Sequence, residues 1–131
     1  MTTFHLQIVT PDGGFYDGNA EKLIVRALGG DVCILPRHAP YVTALGTGEA
    51  AVVIDGQRKT AACAGGMLAV TKDDVRLVAT TFEWAEDIDK NRAQRAKEEA
   101  ERRIQNAKDG AELEMAKAKL SRALARIKAA G

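Results

Sequence analysis

The chain has 131 residues, enough for one small domain with an appendage. Its 19 Lys+Arg and 18 Asp+Glu leave a net charge of +1, which argues against the strongly basic field that binds nucleic acid in bulk. Hydrophobic residues make up 46% and charged residues 28%, too apolar for wholesale disorder, and no apolar run reaches the ~18 residues that would mark a membrane span.

From the start of the chain, Phe4, Leu6 and Ile8 alternate with His5, Gln7 and Val9, the period of a half-buried strand. No basic-then-apolar leader precedes them, so no targeting segment is expected. Pro11-Asp12-Gly13-Gly14 ends the strand, because proline fixes φ and glycine admits positive φ. Further strands are expected over residues 23–28, 32–35, 50–54, 60–64, 67–71 and 75–80, punctuated by Gly29-Gly30, Asp55-Gly56, Gly65-Gly66 and Lys72-Asp73-Asp74. Asp55-Gly56 has the composition of a type I′ hairpin turn. Strands this short and frequent point to an antiparallel β-sandwich or flattened barrel. Cys33 and Cys63 fit reduced core residues and have no zinc spacing with His5 and His38.

The sequence changes character near residue 86. Residues 1–86 carry 7 Lys+Arg against 10 Asp+Glu (net −3), and residues 87–131 carry 12 against 8 (net +4). Between Asp87 and Lys108 there is no Gly or Pro, and helix formers dominate. Asp109-Gly110 breaks the pattern, which then resumes to Ala130. Ala93, Ala96, Ala100, Ile104 and Ala107 form one candidate buried stripe, and Leu113, Ala116, Leu120, Leu124 and Ile127 another. Together they predict an antiparallel two-helix hairpin over 87–131, appended to a sandwich over 1–86. One stripe is mostly methyl groups, each worth about 0.8 kcal/mol when buried. The hairpin is therefore expected to be marginal alone and able to separate.

Pairing about Asp109-Gly110 brings Arg92 opposite Arg126 and Ile127, with Arg122 one turn away on the same face as Arg126. Three guanidiniums are then expected beside the start of the first helix, an end that attracts anions. Asp89 and Glu83 would accept from ribose hydroxyls or an adenine amine. The plainer reading is a solvated arginine face complementing a helix dipole, and acidic Glu99 on that face counts against the clamp. Pro36-Arg37-His38-Ala39-Pro40 projects Arg37 and His38 on a stiff loop. No phosphate-loop, dinucleotide or catalytic motif is present, and the lone serine is Ser121; an enzyme is not expected. The alternatives are a nucleic-acid adaptor using the basic helices, weakened by interspersed carboxylates and absent aromatics, and a small nucleotide hydrolase.

Ile8-Val9-Thr10-Pro11-Asp12-Gly13, Ile34-Leu35-Pro36 with His38-Ala39-Pro40, Leu45 and Gly48, Gly65-Gly66-Met67-Leu68 and Ala85-Glu86-Asp87-Ile88-Asp89 follow one another in an order and spacing that resembles the bacterial F-type ATP synthase epsilon subunit family. Cys33 and Arg37 stand where that family commonly has glycine, and Met67 where it has phenylalanine. The resemblance implies a non-catalytic rotor subunit. Its sandwich would bind the gamma subunit and the c-ring, here through a loop region containing Asp31, Arg37 and His38. Its helices would either fold down or extend to the alpha and beta subunits of the catalytic head and inhibit hydrolysis. Ile88-Asp89-Lys90-Asn91-Arg92-Ala93 matches the family's ATP-binding motif, with Glu83, Arg122 and Arg126 matching around it. ATP is thus the implied regulatory ligand, with no required cofactor and no metal among the implied sites. The implied location is peripheral, on the cytoplasmic face of the bacterial plasma membrane through the complex.

Overall fold

A computed structural model describes residues 2–131. Eight strands form the first part: β1 (Phe4–Thr10), β2 (Gly13–Ala20), β3 (Lys22–Ala27), β4 (Gly30–Ile34), β5 (Tyr41–Ala44), β6 (Thr47–Ile54), β7 (Gln57–Val70) and β8 (Asp74–Trp84). A 3₁₀ turn (Ala85–Asp87) leads to α1 (Lys90–Asn106) and α2 (Gly110–Ala130). The strands hydrogen-bond in the order β2-β1-β8-β7-β6-β3-β4, with β5 also paired to β7. The sandwich with its appended helical hairpin is therefore as expected from the sequence.

The sheet is antiparallel except at one place. β1 runs parallel to β8, with His5 opposite Asp74 and Val9 opposite Val78. A parallel pair needs a long connection, and here the rest of the sandwich supplies it. β2 and β5 are additional to the strands read from the sequence. Residues 60–64 and 67–71, read as two strands, belong to the single long β7.

Gly65 and Gly66 explain how β7 remains continuous. Their φ values are +66° and +113°, and a Cβ on Gly66 would lie 1.8 Å from the Val78 carbonyl oxygen. Before this corner the core-facing residues of β7 are Ala61 and Cys63; beyond it they are Leu68 and Val70. The inward parity reverses, and β8 reverses with it, from Val75, Leu77 and Ala79 to Phe82. The register is the same on both sides of the corner, where Gly65 and Thr80 alone do not pair. One ribbon thus turns from one layer into the other while keeping its apolar side on one core, which also holds Leu6, Ile8, Leu23, Val25, Ile34 and Val52. Asp55 and Gly56 have φ +51° and +76°, the signs a type I′ turn requires. Cys63 is buried as expected, and burial pushes its thiol up to about 12, while Cys33 is exposed on β4 and is not a core residue.

Both helices start on side-chain caps. Asp89 accepts from the Arg92 amide at 3.0 Å, and Asp109 accepts from the Glu112 amide at 2.8 Å. The Glu112 carboxylate in turn accepts from the amide of Lys108, the residue before the cap, so the entry to α2 is held from both directions. Gly110 is consequently the first residue of α2 and not part of the break. The first stripe packs as read, with Ala93 and Ala100 fully buried. In the second, Leu124 is 45% exposed and Ala123 is buried in its place. The reason is that α2 is packed on two sides. One side meets α1, and the other sets Ala125 and Ala129 against Ala62 of β7, joined by Ile88. Close approach on both sides selects alanines and leaves the larger leucine outside.

Candidate functional site

The 3₁₀ turn and the first turn of α1 sit over the end of β8, and α2 returns alongside them. A cavity of about 590 Å³ opens between these elements and the β1–β2 hairpin. Glu83, Ile88, Asp89, Arg92 and Arg126 all line it, together with Ala93 and Ala96 of α1 and Phe15, Thr81 and Phe82 of the sandwich. Five of the six residues read as a clamp thus converge, four from the short segment between the end of β8 and the first turn of α1 and Arg126 from α2.

Arg122 does not line this cavity. It lies one turn earlier on α2 and faces a smaller adjoining groove of about 160 Å³ with Glu99, Arg103 and Lys119. Arg126 and Ala96 border both spaces. The convergence of three guanidiniums is corrected to two, because antiparallel pairing sets Arg122 beside the Glu99 layer of α1 and not beside Arg92.

Two of the carboxylates are already engaged. Arg126 Nε donates to Glu83 Oε1 at 2.5 Å, tying α2 to β8 across side chains that are 31% and 38% exposed. Asp89 spends one oxygen on the cap of α1. The arginine ion pairs among the described residues are Arg26–Asp31, Arg103–Glu99 and Arg126–Glu83, so Arg92 and Arg122 have no carboxylate partner there. Asp12 and Asp87 also line the cavity. Its chemistry is mixed: two guanidiniums suited to an anionic group, acceptors for hydroxyl or amine donors, and an apolar wall of Phe15, Ile88, Ala93 and Ala96. Asp12 and Phe15 were not singled out from the sequence. The turn signal Pro11-Asp12-Gly13 was visible, but nothing local reveals that the hairpin tip reaches the helices.

The second group lies away from the cavity. Asp31 pairs with Arg26 Nε across β3–β4 at 3.0 Å. Arg37 is exposed, with φ +66°, the left-handed region that glycine fills at least cost. The His38 amide donates to the Leu35 carbonyl, and its ring stands 6.3 Å from that of Tyr41. Leu28 and Leu35, on the same chain segments, are 75% and 48% exposed. Among the described residues no group of three or more His, Cys, Asp or Glu is placed to hold a metal, and no helix is long and apolar enough to cross a membrane.

Residues 3–85 match the family model for the ATP synthase, Delta/Epsilon chain, beta-sandwich domain, and residues 86–131 that for the long alpha-helix domain. The ATP synthase epsilon chain of Bacillus velezensis is 44% identical over 131 residues, spanning 100% of this chain and 99% of that one. That of Caldanaerobacter subterraneus is 41% identical over 129 residues, spanning 98% and 94%. Among solved structures, a chain of the Euglena gracilis mitochondrial ATP synthase OSCP/F1/c-ring assembly shares the fold with a TM-score of 0.86 at 21% identity, covering 99% of this chain and 82% of its own. A chain of the Tetrahymena thermophila mitochondrial central stalk and c-ring gives 0.68 at 15% identity, covering 98% and 96%. With both parts matched in order by family models and relatives above 40% identity along its length, the chain belongs to the ATP synthase delta/epsilon family, as an epsilon-type chain.

Proposed function

We propose that the chain is a non-catalytic subunit of the ATP synthase central stalk whose helical hairpin is held against its sandwich by bound ATP. The observation that carries this reading is the cavity itself. Arg92 and Arg126 border it from two antiparallel helices, Glu83 from the sandwich, and Ile88 and Asp89 from the connection between them. A ligand there touches every part that would have to separate, so it binds the folded-down arrangement and not the open one. Arg122, on the adjoining groove, extends the positive lining beyond Arg126. A ligand of this kind stabilises the closed form by RT ln(1 + [ATP]/Kd), about 2.7 kcal/mol at a hundredfold excess over Kd. When ATP is scarce the hairpin opens toward the alpha and beta subunits of the catalytic head and limits wasteful hydrolysis.

Docking on the rotor is supported by the surfaces left uncovered. α2 shields the outer side of β6 and β7, but Val42, Met67 and Val78 on the other layer are 65%, 47% and 43% exposed. Met67 stands directly opposite both Ala44 and Val78, which makes an apolar row across β5, β7 and β8 suited to the gamma subunit. The end carrying Leu28, Asp31, Arg37 and His38 is the expected seat on the c-ring. The chain then associates with the cytoplasmic face of the bacterial plasma membrane through the complex.

Calorimetric titration of ATP into the full chain, Arg92→Ala and Arg126→Ala tests the site. Binding by the parent and a loss of at least tenfold in each variant is expected, since each removes one charge-assisted contact worth about 1.5–3 kcal/mol. Equal heats in all three, or none in the parent, would remove the ATP reading.

A further inference from the structure

We infer that Phe15 is the surface on which the base of the nucleotide stacks, so that the β1–β2 hairpin is a fourth wall of the binding site. This inference rests on the cavity being a nucleotide site and goes beyond it by assigning the base.

The first observation is in the strand pairing. β1 and β2 pair regularly up to Ile8 opposite Tyr16, then resume with Val9 opposite Gly14. Phe15 is the residue left over. Such a bulge breaks the alternation of side chains and aims one of them where a regular strand would not. Tyr16 fulfils the ordinary role: it packs against the core, and its hydroxyl donates to the Asn19 carbonyl. Phe15 is freed from the ladder and lines the cavity.

The second observation is how the ring is held. It meets Phe82 edge-on at 5.1 Å and Trp84 at 5.7 Å and a 41° tilt. Phe82 and Trp84 are themselves in edge-to-face contact at 5.2 Å. The aromatic neighbours fix the orientation of Phe15, yet 36% of the residue remains exposed. A large apolar ring braced by the core and open toward a space bordered by guanidiniums is a preorganised stacking platform. Bases stack on such faces whatever their hydrogen-bonding edges. Ile88 and Ala93 line the cavity too and supply apolar surface for the other side of a planar group. Arg92 and Arg126 then take the phosphates. The ligand class is a nucleotide with its base attached, and bare polyphosphate should gain nothing from Phe15.

The experiment compares ATP with inorganic tripolyphosphate, by calorimetry, on the full chain, Phe15→Leu and Phe15→Tyr. Leucine keeps apolar bulk against Phe82 and Trp84 but has no aromatic face; tyrosine restores the face. Phe15→Leu is expected to bind ATP about five- to a hundredfold more weakly, the range of a lost stacking contact. Tripolyphosphate binding should be unchanged in all three proteins, and Phe15→Tyr should bind ATP as the parent does. Phe15 ring protons should also shift upfield on adding ATP and not on adding tripolyphosphate. If the parent binds ATP and Phe15→Leu binds it equally well, the stacking role is overturned while the nucleotide site stands. If Phe15→Leu weakens both ligands alike, the residue acts only through the fold and the inference is likewise overturned. Absence of ATP binding by the parent overturns the site and the stacking role together.

Discussion

Replacing Ala125 by glutamate is expected to release the hairpin from the sandwich while leaving the sandwich folded. Ala125 is 7% exposed and rests with Ala129 against Ala62. Three buried methyl groups are worth about 2.5 kcal/mol together. The Thr60 hydroxyl, donating to the Ala129 carbonyl at 3.2 Å, adds about 1 kcal/mol. The Arg126–Glu83 pair, with both side chains about one-third exposed, adds no more than about 1 kcal/mol after solvent screening. Against these stands the cost of ordering long side chains such as Arg126. Docking therefore holds by a few kcal/mol at most. A carboxylate forced between Ala62 and α2 costs several kcal/mol in desolvation, enough to invert the equilibrium. Glutamate favours helix, so α2 itself should persist. Hydrogen exchange should show faster exchange across α1 and α2, with β-strand amides and the sandwich melting temperature unchanged. Unaltered helix protection in this variant, or a melting loss in the sandwich comparable to that of a core substitution, would refute the weak-docking argument.

Two further outcomes follow from local geometry. His5 lies between Asp17 and Asp74, its Nε2 2.5 Å from one carboxylate and its Nδ1 2.7 Å from the other. Only the imidazolium can donate to both, and these two bonds raise its pKa above the ordinary 6.5. A raised folded-state pKa contributes stability fully below pH 6.5 and loses it as pH rises through the folded value. Parent stability relative to His5→Gln should therefore be greatest just below pH 6.5 and shrink as pH rises through the raised folded-state value, as read by thermal melting at each pH; a pH-independent difference would rule out the paired imidazolium. Gly66→Ala should cost more than about 3 kcal/mol, since its Cβ would sit inside the Val78 carbonyl at a φ that alanine avoids. Denaturant melting that shows no loss would contradict the corner described for β7.

Much of the architecture was visible in local chemistry. Alternation placed β1, Asp55-Gly56 placed its turn, and the loss of Gly and Pro after residue 86 placed the helices. What escaped was set by distance. β2 is small or polar at every position but Phe15 and Tyr16, which gives no alternation signal, and it exists as a strand because β1 is there to pair with it. Gly65-Gly66 reads as a break, and only its partner strand β8 shows that the ladder continues through it. The second packed side of α2 depends on Ala62 of the sheet and Ile88 of the connection, which pack with Ala125 and Ala129 apart from the main core. No helical wheel drawn from α2 alone could anticipate them, so Leu124 was misplaced. The site was legible for the same reason the hairpin was, because antiparallel geometry converts sequence spacing into proximity. The reach of Phe15 and Asp12 was not.

α2 is fastened on two fronts and α1 on one, since α1 leans on α2 and meets the sandwich mainly across the cavity. The chain order adds a constraint, because α1 is tied at one end to the sandwich through Ile88 and at the other to α2 through residues 107–109. It cannot swing away as a rigid rod while α2 stays seated. The two rods leave together, and lifting the inner one undoes the pocket and wets the alanine floor of the sheet in a single step.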